Sequence, residues 1–321
     1  MHPLSFPDLR KDVKGASIEK KILFFFLFVF FFFSSPVLAA KGQGGIDKDS
    51  KISSDEKHPP FVGNFLVPTS QRPGPLIGFG LNFIGENRVQ TYAHGETTRG
   101  TNRTQEAVGG SVAYGITDDL AIYLSPPSAE GVRDRDQKTT GWSNIGLQVN
   151  YALYTGSTTS FEEIISLAGA VSPPTASTNS GLLQGGKNTR VLLGGVFARM
   201  YPEWYGFTSQ GVLLGSRLGQ VGVGHEFLSQ FGLGKNILTL KSGWIFAVLM
   251  EVDGQFIRKS QINGQTAPDS GGNIITVAPS LWISSETWVF QIGGGGYLVQ
   301  ELNGAQDKNN YFLIANIGIA F

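Results

Sequence analysis

The chain has 321 residues with 43 Gly, 15 Pro and no Cys, and 25 basic residues balance 25 acidic ones. Charged residues make up only 16% and aromatic residues 12%, which excludes a disordered chain, a coiled coil and a nucleic-acid binder, since nothing supplies a basic field. Without Cys there is no disulfide framework, thiolate zinc site, Cys nucleophile or lipidated N-terminal Cys.

The chain begins with a basic region carrying Lys11, Lys14, Lys20 and Lys21, then the apolar run ILFFFLFVFFFF over 22–33, then SSPVLAA. The run is shorter than the roughly 17 to 25 residues a helix needs to cross a bilayer. Residues 1–39 therefore predict a secretory signal peptide cut after Ala39 or Ala40, with an uncleaved anchor as the alternative. Residues 40–73 follow as a polar periplasmic lead-in rich in Lys, Asp, Ser and Gly. Pro59, Pro60, FVGNFLVPT and QRPGP within it suit a short plug or a latch on a rim, or a plain linker.

Residues 74–321 contain no apolar run long enough for a membrane helix, yet they alternate with period two, the pattern of a transmembrane β-barrel. In IGLQVNYAL, Ile145, Leu147, Val149, Tyr151 and Leu153 share one face, with Gln148 and Asn150 on the other. The fold class expected is all-β, an antiparallel transmembrane barrel of about twelve strands. These fall near 76–88, 104–116, 120–125, 142–154, 161–172, 188–200, 204–216, 220–229, 236–252, 273–283, 287–300 and 311–321. Tight turns are expected at 117–119, 155–160, 201–203, 230–235 and 284–286, facing the periplasm, with longer loops outside. Gly109, Gly110, Gly194, Gly195 and Gly293 to Gly296 mark curvature of the wall or close approach to the backbone.

The last strand carries an apolar stripe of Tyr311, Leu313, Ala315, Ile317 and Ile319 and ends on Phe321. Together with the signal peptide this reads as a sorting signal for the barrel assembly machinery and places the chain in the bacterial outer membrane. The stretches GPLIGFG, YGITDDLAIY, GWSNIGLQVNYALY, AVSPPTAS, PEWYGFTSQG and SGGNIITVAPSLWISS, in that order, resemble outer-membrane proteins grouped as the MetA-pathway of phenol degradation family. Where that family often has Pro-Thr-Gly, this chain has Pro174, Thr175 and Ala176. The resemblance implies a passive route for small apolar or aromatic compounds, with no catalytic residues.

Strand parity sends Asn82, Glu106, Gln148, Asn150, Arg190, Gln210, Lys241, Glu251, Thr276, Gln291 and Asn316 to the lumen. These are mostly neutral and suit weak selectivity or a hydrogen-bonded filling. Trp142, Trp204, Trp244, Trp282, Trp288, Tyr151, Tyr205 and Tyr311 are candidates for interfacial girdles. The four histidines, His2, His58, His94 and His225, share no metal-ligand spacing. His225 with Ser229 or Ser209 is a conceivable nucleophile pair for a membrane-embedded hydrolase, without an orienting partner. The segment EGVRDRDQK could meet a cation or lipopolysaccharide phosphates through Arg133, Arg135 and Lys138, or be plainly solvated. Lys187 ends a glycine-rich run that lacks the Gly-Lys-Ser/Thr of a phosphate loop. The expectation is a channel or transporter without enzyme activity, cofactor or metal. Its partners are outer-membrane lipid, lipopolysaccharide, the assembly machinery and a small-molecule solute, with no nucleic acid. A structural or surface-interaction barrel is the alternative.

Overall fold

The computed structural model describes residues 71–321 apart from 82, 136, 177–187 and 219. The signal-peptide segment, most of the lead-in, Asn82 and Lys187 lie outside those residues. Among the described residues the strands are β1 (Val89–Gly100), β2 (Arg103–Thr117), β3 (Leu120–Ser125), β4 (Ala129–Asp134), β5 (Gln137–Trp142) and β6 (Gly146–Ser157). They continue with β7 (Glu162–Ser172), β8 (Arg190–Met200), β9 (Trp204–Gly215), β10 (Arg217–Leu218), β11 (Val221–Gly222) and β12 (Glu226–Thr239). The last are β13 (Ile245–Ile257), β14 (Gln261–Ile262), β15 (Gln265–Thr266), β16 (Gly272–Ser284), β17 (Trp288–Leu302) and β18 (Asn309–Ala320).

Twelve of these close an antiparallel barrel: β1, β2, β3, β6, β7, β8, β9, β12, β13, β16, β17 and β18, with β1 paired to both β2 and β18. Closure satisfies the backbone of a sheet in lipid, because a ring has no edge. The hairpin β4–β5 continues β2 beyond β3, and β10, β11, β14 and β15 form a small sheet between two connections. One rim, the turn rim, carries the tight turns at 118–119, 158–161, 201–203, 240–244 and 285–287 and both ends of the ring. The opposite, loop rim carries the longer connections and one two-residue turn, 101–102.

Alternation explains the wall. On β18, Tyr311, Leu313, Ala315, Ile317 and Ile319 face outward, while Phe312, Ile314 and Asn316 face in. Phe321 and Val89 exchange backbone hydrogen bonds, so Phe321 helps to close the seam.

Three strand assignments, the first, the eighth and the ninth, differ from the sequence reading. The first wall strand is 89–100, not 76–88. Its inner face is Gln90, Tyr92, His94, Glu96 and Thr98 and its outer face is no more apolar than Thr91, Ala93, Gly95 and Thr97, so it looks like a loop. The stretch QFGLGK, expected as the turn 230–235, lies inside β12, and the turn falls at 240–244 where Gly243 takes φ 82°. Gly232 and Gly234 are strand residues because the rings of Phe207 and Tyr205 lie against them and leave no room for a Cβ.

Candidate functional site

The stretch expected as the first strand runs inside the barrel. Gln71 enters at the turn rim, where its side chain donates to the carbonyl of Gly243 at 2.6 Å and its carbonyl accepts from the Ser284 hydroxyl at 2.8 Å. Beside it Arg72 pairs with Glu162. The chain rises to Phe79 and Gly80, then returns to the turn rim, where Glu86 N–H donates to Asp118 at 3.0 Å. Among the described residues its polar backbone has no ladder partner over this course, and wall side chains supply partners instead. The amides of Leu76, Ile77 and Gly78 donate to the Glu251 carboxylate at 2.6, 3.1 and 3.2 Å. Gln230 accepts from the Phe79 amide and donates to the Ile77 carbonyl, both at 3.2 Å, and donates to Asp253 at 2.8 Å. Gln291 donates to the carbonyl of Gly74, Ser209 to that of Phe79 and Ser166 to that of Gly80, each at 3.1 Å.

Packing matches this polar scaffold. Leu81 and Phe79 join Val196, Tyr205, Phe207, Leu249 and Trp282, and Ile84 sits against Ala113, Ala121 and Tyr123. The Phe79 ring lies over Gly194 and Gly211, and Leu76 over Gly293, where a Cβ would collide. For Gly194 and Gly293 close approach is therefore the reason for glycine. Gly80 itself has φ 77°, which L side chains rarely adopt.

The segment fills the turn-rim half of the lumen. Toward the loop rim the register turns Leu192, Leu213, Leu228, Ile274 and Ile314 inward, all half-buried, among Gln148, Gln255, His94 and Glu96. This vestibule is an apolar wall with polar points, bounded by the ion pair Arg190–Glu226.

Of the residues assigned to the lumen, Gln148, Asn150, Arg190, Glu251, Thr276, Gln291 and Asn316 stand on the inner face. Glu106 and Gln210 stand on the outer face: Glu106 lies opposite Thr97 beside Arg99, and Gln210 lies opposite Gly195 and Ser229 and bonds Thr208. Lys241 is in the 240–244 turn, displaced with the shifted end of β12. Inward residues that the sequence reading missed are Ser166, Ser209, Gln230, Asp253 and Ser284; once β12 is taken whole, its even parity points Gln230 inward. Two girdle candidates also turn inward, since Trp282 and Tyr205 belong to the core, whereas Trp142, Trp204, Trp288, Tyr151 and Tyr311 are exposed on the outer face. Trp244 stacks on Phe290 near the turn rim.

The candidate nucleophile pairs are not assembled. His225 accepts the Gly215 amide at Nδ1, and Ser209 and Ser229 face opposite sides of the wall. Among the described residues no group of acidic and histidine side chains is arranged to hold a metal ion.

The sequence matches no protein-family model and no curated protein. Among solved structures, the fold is similar to the COG4313 outer membrane channel from Pseudomonas putida F1, with TM-score 0.60 and 14% identity over 78% of this chain and 99% of that one. It is similar at a lower level to LpxR from Salmonella typhimurium, with TM-score 0.44 and 10% identity over 71% of this chain and 99% of that one. The likeness to the channel is one of barrel architecture.

Proposed function

We propose that the chain is a bacterial outer-membrane channel through which small solutes, apolar and aromatic ones among them, move down their gradient. The observation that carries this reading is the vestibule at the loop rim, a lumen lined by half-buried Leu and Ile beside amides, which suits weakly polar solutes better than an ion filter. In this reading the signal peptide delivers the chain to the periplasm, the turn rim faces the periplasm and the loop rim the outside. The sequence resemblance to the phenol-degradation family and the fold shared with a channel agree with it. The route is passive and uses no cofactor.

Planar-bilayer recording tests it. The refolded protein should give discrete conductance steps that grow in Glu251→Ala, which frees the inner segment, and stay unchanged in Lys241→Gln. A folded barrel silent in all three forms overturns the channel reading and favours a surface-interaction role for the long connections.

A further inference from the structure

Between Ser125 and Gly146 the wall leaves the ring. Pro126 and Pro127 end β3, since proline cannot donate to a ladder. The bend is pinned where Ser143 N–H donates to the Ser128 carbonyl at 2.8 Å and Ser128 N–H to the Ser143 hydroxyl at 2.7 Å. Beyond it β5 pairs with β4 alone among the described residues, because β6 takes up pairing with β7 only at Leu147. On the outer face of β2, β4 and β5 lies an open cavity of about 660 Å³.

The register sorts this face into three rows. Nearest the turn rim come Val108, Ala129 and Trp142, then Glu106, Gly131 and Thr140, then Thr104, Arg133 and Lys138. Adjacent rows are about 7 Å apart, two residues of strand. The first row is apolar and open: Val108 is 66% exposed and Trp142 55%. At the centre, a Cβ on Gly131 would meet nothing within 4 Å. Glu106 is offset by Arg99 at 3.6 Å, whereas Arg133 and Lys138 have no carboxylate partner among the described residues. Glu130 and Asp134 alternate to the inner face.

An apolar row with Trp142 toward the membrane, an uncrowded middle row at Gly131 and two cations toward water follow, in order, the acyl, sugar and phosphate layers of a glycolipid. We propose that this shelf holds the phosphorylated sugar headgroup of an outer-leaflet lipid. The sugar lies over Gly131 beside the Trp142 ring and the phosphate lies between Arg133 and Lys138. The proposal rests on the outer-membrane orientation given above but not on conduction, so a silent barrel that binds lipid would sink only the channel.

The test is native mass spectrometry of the purified full chain in detergent with bisphosphorylated lipid A. Heat-modifiable migration on gels verifies that each variant is folded. Wild type should retain one lipid A per barrel. Retention should fall at least tenfold in the double variant Arg133→Gln, Lys138→Gln and with dephosphorylated lipid A. Gly131→Trp, which crowds the centre of the cavity and leaves every charge, should lower it similarly, while Lys235→Gln at the turn rim leaves it unchanged. Equal retention in Gly131→Trp and wild type, or retention of phosphatidylethanolamine as strong as that of lipid A, would overturn the proposal.

Discussion

Glu251 is 1% exposed and spends both carboxylate oxygens on three successive amides of the inner segment. Hydrogen bonds to a charged group contribute about 1.5–3 kcal/mol each, and amides left dry and unpaired cost a comparable amount. Glu251→Ala should therefore loosen the segment by about 3 kcal/mol, on the order of 100-fold in its opening equilibrium. Hydrogen exchange at Leu76, Ile77 and Gly78 would show this, with Glu251→Gln intermediate; exchange as slow as wild type in both variants would remove Glu251 as the anchor. Gly80 offers a second probe of the same segment. At φ 77° a side chain is strained by roughly 1–2 kcal/mol. A Cβ would also stand 2.8 Å from the Val196 methyl and 2.9 Å from the Ala168 Cβ. Gly80→Ala should speed the same exchange while leaving the wall strands protected.

At the scale of elements, most of the wall was legible because lipid on one side and a packed lumen on the other impose period two. β3, β7 and β9 begin and end within a residue or so of expectation. The failure at 76–88 has a physical source. Residues 76–81, 83 and 84 are all apolar or Gly because the barrel surrounds them, and a run read only for alternation takes that for a strand. Nothing in the sequence shows that its amides are satisfied by Glu251 and Gln230 rather than by a ladder. β1 fails in the opposite sense, since its polar inner row hides it. The site was legible in part: parity found Glu251 and Gln291, and missed Gln230 and Asp253 wherever a strand was displaced. The corrected pairing makes its own prediction. Thr91 lies opposite Ile319 across the seam. In a chain without other thiols, Thr91→Cys with Ile319→Cys should oxidise to a cross-link that shifts gel mobility, whereas Gly78→Cys with Ile319→Cys should not.

At the scale of the molecule, the backbone ladders of the ring close without the inner segment, because none of the described residues in 71–85 belongs to a wall ladder. Deleting them should leave a closed barrel with heat-modifiable migration and a larger conductance. Its melting temperature should fall, because Ser209, Ser284 and Ser166, now dry against the segment, would line an emptied half-lumen together with exposed core. Unfolding of the deletion variant at the wild-type temperature would show that the segment adds nothing to stability. The seam also sets a timetable. Val89 and Gln90 meet Ala320 and Phe321, so the contact that turns a ribbon into a ring joins opposite ends of the barrel sequence. Such pairing is slow and waits on the arrival of β18. The inner segment precedes the first strand, so it is already synthesised while the ribbon is still open. It is either wrapped as the ribbon curls or must thread back past Gln71's entry at the turn rim once the cylinder has sealed.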